Sequence, residues 1–181
     1  MSRPPPAPAG PLPNATFSHL FQLCANGGRA FLAAGRAAHA RMLVSGFVPT
    51  AFVANCFLQM YARCAGAAHA RMVFDVMPHR DTVSWNTMLT AYSHAGDIDA
   101  ALALFDAMPD PDIVSWNTLV SSYCQRSMFR ESVGLFLEMA SRGVAPDRTT
   151  FAVLLKACGG LENLVLGVQI PCIDSKDGLG G

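Results

Sequence analysis

The chain has 181 residues, of which 51% are hydrophobic and 14% charged, so it can bury a substantial core. Its 13 basic and 13 acidic side chains give a formal net charge of zero at pH 7, which by itself argues against a polyanionic partner. No apolar run approaches the roughly 18–20 residues that a membrane-spanning helix needs, so no membrane association is expected.

The first thirteen residues, MSRPPPAPAGPLP, are proline-rich and are predicted to be disordered. Their single basic residue, Arg3, makes them a weak transit peptide. No Asp or Glu precedes Asp75, however, and such an acid-free start is compatible with import into an organelle. Charge is therefore uneven, because residues 75–181 carry seven basic and thirteen acidic side chains.

A repeat becomes visible in the middle of the chain. Residues 82–89, TVSWNTML, return 31 residues later as IVSWNTLV at 113–120. The same step joins Tyr61, Tyr92 and Tyr123, and a wider match joins ATFSHLFQLC at 15–24 to TTFAVLLKAC at 149–158. A fixed period of this size is typical of solenoid proteins.

Each repeat unit reads as two helices. In 113–147, Trp116, Leu119 and Tyr123 follow the three-to-four spacing of one helical face, and FRESVGLFLEMAS supplies a second such face before Gly143 ends it. The predicted fold is therefore all-α, an α-solenoid (right-handed superhelix) of stacked antiparallel helix-turn-helix repeats. Residues 14–147 are predicted to form eight helices in four pairs, with at least one more helix after 148. Trp85 and Trp116 are interpreted as packing residues.

The segments SWNTMLTAYSHAGDIDAALALFDAMP and SWNTLVSSYCQRSMFRESVGLFLEM resemble pentatricopeptide repeats. The alternating unit lengths are similar to those of the plant subclass that mixes long, short and standard motifs. This resemblance implies a long motif at 14–50, short motifs at 51–81 and 82–112, a standard motif at 113–147, a partial long motif at 148–170, and a divergent, disordered tail at 171–181. The array is expected to be truncated there, which predicts a poorly covered apolar face and self-association.

The resemblance implies that the repeats bind single-stranded RNA, one base per repeat. In the family, a polar residue early in the first helix and the last residue of the repeat select the base, and an apolar residue three places before the first of them packs on it. In this chain the implied selecting pairs are Asn55 with Asp81, Asn86 with Asp112, and Asn117 with Asp147, and the packing residues are Phe52, Val83 and Val114. The Asn–Asp combination implies a pyrimidine, with uridine preferred.

A simpler interpretation of the aspartates stays open. Asp81 and Asp112 each precede an apolar helical stretch, so they could only cap the next helix. The chain would then be a helical scaffold that binds a protein, which its neutral charge favours, or a non-functional fragment of an RNA editing factor. The recurrence of both members, at separations that follow the unit length, favours base selection. Ser18 with Thr50, and Ala152, occupy the corresponding places in the long motifs and are assigned no base.

No catalytic, metal or cofactor site is predicted. The six cysteines include no C-x-x-C pair, and Cys24 and Cys158 are interpreted as small buried residues. His39 is interpreted as a packing residue and His79 and His94 as exposed. The H-x-E and P-C-x-x-C signature of nucleotide deaminases is absent, so the chain is not expected to be an enzyme.

The resemblance also implies a location and a process. Members of the family act mostly in mitochondria or chloroplasts, with the mitochondrion slightly preferred here. Organellar C-to-U editing specificity or RNA processing is the implied role, and a deaminase in editing would have to be supplied in trans.

Overall fold

The computed structural model describes residues 14–160. The predicted disorder of residues 1–13, the last ten residues of the partial motif and the divergent tail at 171–181 lie outside the described residues. Between 14 and 160 the chain forms nine α-helices, one short 3-10 helix and no strand. The α-helices are α1 (Asn14–Gly27), α2 (Leu32–Val44), α3 (Ala51–Cys64), α4 (Ala67–Val76), α5 (Thr82–Ala95), α6 (Ile98–Asp106), α7 (Ile113–Gln125), α8 (Phe129–Ser141) and α9 (Arg148–Gly160).

This confirms the all-α class, the eight helices before residue 147 and a further helix after 148. Each consecutive pair within 14–147 is joined by a short connection, which makes its two helices antiparallel neighbours. The motif boundaries themselves remain a prediction.

The chain divides into two compact units, and the first ends at Pro111. Within it α3 packs against α1, α4 and α5, so the first helices of successive pairs stack on one another. The core of this unit contains Phe21, Leu58, Met60 and Phe74, all almost fully buried. Gly35 on α2 lies against Met60, and a Cβ there would come within 2.6 Å of the Met60 sulfur, so the Met60 side chain would have to shift.

The second unit begins at Asp112 and is described as far as residue 160. Its helices α7, α8 and α9 all contact one another. Trp116, Met139 and Leu154 form its centre and are each at most 1% exposed. The guanidinium of Arg142 lies 5.2 Å from the centre of the Trp116 ring, on one face of it.

Local sequence signals set the helix ends. Thr50, Asp81, Asp97 and Asp112 each accept a backbone hydrogen bond at the start of a helix, as N-cap residues do. Gly96 ends α5 in the left-handed region, with a φ of 84°. These signals place the first residue of α5 and of α7 directly after an aspartate.

Most single-residue packing predictions are confirmed. Trp85 packs edge-on against Phe74, with ring centres 5.0 Å apart. His39 lies against the Phe57 ring, and its Nδ1 is 3.1 Å from the Tyr61 hydroxyl. His79 and His94 are exposed.

The pair of equivalent cysteines is predicted correctly only in part. Cys24 on α1 is buried, whereas Cys158 on α9 is half-buried, so the prediction for Cys158 is wrong. The two cysteines differ in the helices that surround them. Helix α1 packs against α2, the second helix of its pair, and against α3, whereas α9 contacts only α7 and α8 among the described elements.

Candidate nucleic-acid interface

The predicted base-selecting residues occupy equivalent places in successive repeats. Asn55, Asn86 and Asn117 are each the fifth residue of the first helix of a pair. Each aspartate directly precedes the first residue of the next pair's first helix, at 81, 112 and 147. One side chain of each pair is therefore carried by a helix and the other by the connection into the next helix.

Asn55 and Asp81 contact each other directly in the first unit. The Asn55 amide nitrogen donates to both carboxylate oxygens of Asp81, at 3.0 and 2.9 Å. Asp81 also accepts the backbone N–H of Ser84 at 2.9 Å and so caps α5. The same carboxylate thus caps one helix and orients an amide on another.

Asn117 and Asp147 make the corresponding contact in the second unit. The Asn117 amide nitrogen donates to Asp147 Oδ1 at 3.0 Å, and this oxygen also accepts the backbone N–H of Thr150 at 2.8 Å. The Thr150 hydroxyl donates to the Asn117 carbonyl oxygen at 2.6 Å. Both ends of the Asn117 amide therefore have a partner.

Asn86 and Asp112 belong to different units, and each is described in its own surroundings. Asn86 is half-buried on α5, and its backbone carbonyl accepts the Thr90 hydroxyl at 2.8 Å. Asp112 caps α7 by accepting the Ser115 N–H at 3.0 Å, and the Ser115 hydroxyl accepts the Asp112 N–H in return. This reciprocal pair is a capping box.

The predicted packing residues are apolar side chains left at the surface. Phe52 is 61% exposed, Val83 58% and Val114 52%. Each lies three residues before an asparagine on the same helix, so it shares a helical face with that asparagine. Each exposed apolar side chain therefore lies beside an asparagine amide, so an apolar surface and hydrogen-bonding groups are adjacent on the same helix.

Hydrogen bonds keep both contacting aspartates ionised. Burial alone would raise the pKa of Asp81, but hydrogen bonds from the Ser84 N–H and the Asn55 amide outweigh it, and the net pKa is lowered. The pKa of Asp147 is lowered mainly by the Thr150 N–H, with further help from the Asn117 amide. Since an ionised carboxylate only accepts, it fixes the donating nitrogen of the asparagine toward itself.

The structure adds a set of residues that the sequence interpretation missed. A hydroxyl residue follows each aspartate by three positions and is fully buried, namely Ser84, Ser115 and Thr150. The sequence signal was the recurring D-x-x-S/T at 81–84, 112–115 and 147–150. In each of these three places the hydroxyl forms a hydrogen bond with the backbone of the preceding aspartate. The Thr150 hydroxyl also contacts the Asn117 side chain.

The long-motif residues show no comparable pair. Ser18 is buried and donates to the Ala15 carbonyl at 3.1 Å, while Thr50 caps α3 by accepting the Val53 N–H at 3.4 Å. Within residues 14–160, no cluster of potential metal ligands forms and no helix is long and apolar enough to cross a membrane.

Comparison with known proteins agrees with this geometry. The profile of the PPR repeat family matches residues 80–110 and 111–160. A mitochondrial pentatricopeptide repeat-containing protein of Arabidopsis thaliana is 51% identical over 154 residues, or 85% of this chain and 17% of the relative. The chain belongs to the pentatricopeptide repeat family.

Other pentatricopeptide repeat proteins share the sequence and the fold. A chloroplastic protein of Arabidopsis thaliana is 38% identical over 140 residues, covering 77% of this chain and 20% of that protein. The crystal structure of the maize pentatricopeptide repeat protein PPR10 superposes with a TM-score of 0.71 at 20% identity, over 87% of this chain and 23% of the maize chain. The same maize protein bound to an 18-nt psaJ RNA element superposes equally well, with 22% identity over 82% of this chain and 23% of that one. This chain thus spans about a fifth of the length of these relatives.

Proposed function

We propose that this chain binds single-stranded RNA, and that the three repeats at 51–81, 82–112 and 113–147 each select one base. The observation that carries the proposal is the contact between Asn55 and Asp81, repeated between Asn117 and Asp147. A cap alone needs only the aspartate, and nothing in capping requires an asparagine amide 26 or 30 residues away.

The chemistry of an oriented amide favours pyrimidines. With its nitrogen held by a carboxylate, the asparagine retains one N–H for a base, while Asn55 Oδ1 is buried and Asn117 Oδ1 accepts the Thr150 hydroxyl. The remaining N–H can donate to a carbonyl oxygen on the Watson–Crick edge of uridine or cytidine, and the family pattern adds a preference for uridine. The 5′ base is assigned to 51–81 and the 3′ base to 113–147.

Phe52, Val83 and Val114 are proposed to pack on these bases. Base stacking on an aromatic side chain contributes about 1–3 kcal/mol per base; Phe52 is the aromatic residue of the three, and the two valines are expected to give a smaller gain. Ordering the RNA offsets much of that gain. The formal net charge of zero adds little general attraction for phosphates, so weak affinity is expected.

The proposed cellular role is RNA editing specificity or processing in an organelle. It rests on the mitochondrial and chloroplastic names of relatives and on the family resemblance. The mitochondrion is slightly preferred, because the 51% identical relative carries that name. Residues 1–181 contain no deaminase signature, so we assign any deamination step to residues or proteins outside this sequence.

A protein-binding scaffold is the second candidate. The zero net charge favours it, as do exposed apolar side chains away from the asparagines, including Val44 at 90% and Leu155 at 72%. On this alternative the asparagines would be indifferent to RNA.

Titration of the full chain with short labelled RNA separates the two candidates. Oligomers of constant flanks and a variable three-base run are expected to bind in the order UUU, CCC, then purines. Asn55→Ala should reduce that preference, and Asn26→Ala is the matched control, because Asn26 is an exposed asparagine outside the selecting set. Equal binding of all four runs, unchanged by either substitution, would favour the scaffold.

A further inference from the structure

Thr150 occupies a position from which it contacts both members of a selecting pair. It is fully buried in the first turn of α9, and its hydroxyl accepts the Asp147 N–H at 3.1 Å. The hydroxyl oxygen lies 2.6 Å from Asn117 Oδ1 and 2.9 Å from Asp147 Oδ1. Because a hydroxyl has one proton, the shorter contact takes it, and Asp147 Oδ1 already accepts two N–H groups.

The equivalent residue in the other contacting pair makes a different bond. Ser84 is also fully buried and also follows its aspartate by three residues. Its hydroxyl donates to the Asp81 backbone carbonyl at 2.7 Å instead of to the asparagine. Asn55 Oδ1 is a buried atom, and it has no hydrogen-bond partner in the described part of the chain.

We propose that Thr150 is a positioning residue for Asn117, and that the 113–147 repeat therefore discriminates its base more sharply than the 51–81 repeat. The inference rests on the proposed RNA-binding function. An amide held at both ends presents one fixed set of donor and acceptor groups to a base. An amide anchored only through nitrogen turns more easily, and the unpartnered buried oxygen of Asn55 favours such turning because burying it without a partner is costly.

The first test needs no RNA. In the full chain, NMR relaxation of the side-chain NH₂ groups should show a more rigid amide for Asn117 than for Asn55. Thr150→Val keeps the shape but removes the hydroxyl, and it should loosen the Asn117 amide, whereas Thr150→Ser should restore it. Ser84→Ala is the matched control, since it removes the same group without touching Asn55.

The comparison of the Asn117 and Asn55 amides in the wild type tests the proposal even if Thr150→Val fails to fold. Equal mobility of the two amides, or an Asn117 amide that is unaffected in folded Thr150→Val, would overturn the proposal.

The second test measures selectivity. With oligomers that differ only at the 3′ base of the run, Thr150→Val should lower the ratio of uridine to purine affinity by roughly two- to tenfold, the worth of one hydrogen bond. Thr150→Ser should keep the ratio.

This experiment distinguishes a failure of the positioning role of Thr150 from a failure of the proposed RNA-binding function. Discrimination that survives Thr150→Val would overturn the present inference alone. Equal binding of every base by the wild type, with a rigid Asn117 amide, would overturn the proposed function together with the selectivity claim.

Discussion

Asn55 Nδ2 lies within 3.0 Å of both carboxylate oxygens of Asp81, although the two residues are 26 positions apart in the chain. The same carboxylate accepts the backbone N–H of Ser84 in the first turn of α5. Capping and amide orientation are therefore functions of one side chain, and the two interpretations of the aspartates are compatible. Substitutions can separate them, because only one of the two functions involves the asparagine.

Asp81 and Asp97 form a matched pair for this separation. Asp97 caps α6 by accepting the Ala100 N–H at 3.0 Å and belongs to no selecting pair. Asp81→Ala and Asp97→Ala should each lower the free energy of unfolding by about 1 kcal/mol, the usual worth of an N-cap. Only Asp81→Ala should also weaken the preference for a pyrimidine at the 5′ base. Denaturant unfolding and RNA titration measure the two effects, and a loss of preference in both variants would mean that it follows from stability.

Stability should fall in acid partly through Asp81. Its pKa is lowered in the folded chain, so the folded state favours the ionised form. The resulting stabilisation is fully present above about pH 5, and it is lost as the pH falls below about 4, toward the folded pKa. Asp81→Asn retains a capping side chain that does not titrate, so its melting temperature should decline less than that of the wild type between pH 5 and 3. Parallel declines would show that Asp81 contributes nothing to the acid sensitivity.

Gly96 and Ser127 occupy the same place in successive repeats, 31 positions apart, and both have positive φ angles of 84° and 61°. A left-handed conformation costs a residue with a side chain roughly 1 kcal/mol, whereas glycine adopts it freely. Ser127→Gly should therefore raise the free energy of unfolding by about 0.5–1 kcal/mol, and Gly96→Ala should lower it by a similar amount. Unfolding curves for the two variants test this, and a destabilising Ser127→Gly would contradict it.

Val83 and Val76 allow the proposed packing of Val83 on an RNA base to be tested with the same substitution at two positions. Both are valines on helices of the first unit, 58% and 78% exposed, but only Val83 shares a face with a selecting asparagine. Substitution of either by alanine should change the free energy of unfolding by less than about 0.5 kcal/mol. Val83→Ala should weaken RNA binding for every middle base, and Val76→Ala should not. Equal effects of the two substitutions would remove Val83 from the interface.

The fold was predictable because its signals are local and repeated. The spacing of Trp116, Leu119 and Tyr123 predicts a helical face, and aspartates before the helices predict where α5 and α7 begin. The half-buried Cys158 was not predictable, because burial depends on which helices pack nearby and not on the repeat position alone.

The candidate site was predictable only in part. The asparagines and aspartates follow from the family resemblance, and because a carboxylate only accepts, each aspartate is expected to orient its asparagine amide directly or through water. That the contact is direct in two pairs was not predictable. The role of Thr150 was also hidden, since Ser84 occupies the same position and its hydroxyl points to a different acceptor. Side-chain rotation decides such details, and no sequence period reports it.

The most direct test of base selection is a substitution at the middle repeat. The wild type and Asn86→Thr, which keeps Asp112, would be titrated by fluorescence anisotropy against four RNA oligomers that differ only at the middle base. The wild type should prefer uridine, then cytidine, and the family pattern implies that Asn86→Thr shifts the preference toward guanosine, because a threonine hydroxyl presents a different donor and acceptor set. A middle-base preference that is the same in both proteins would contradict base selection by Asn86 and leave the protein-binding scaffold as the better account.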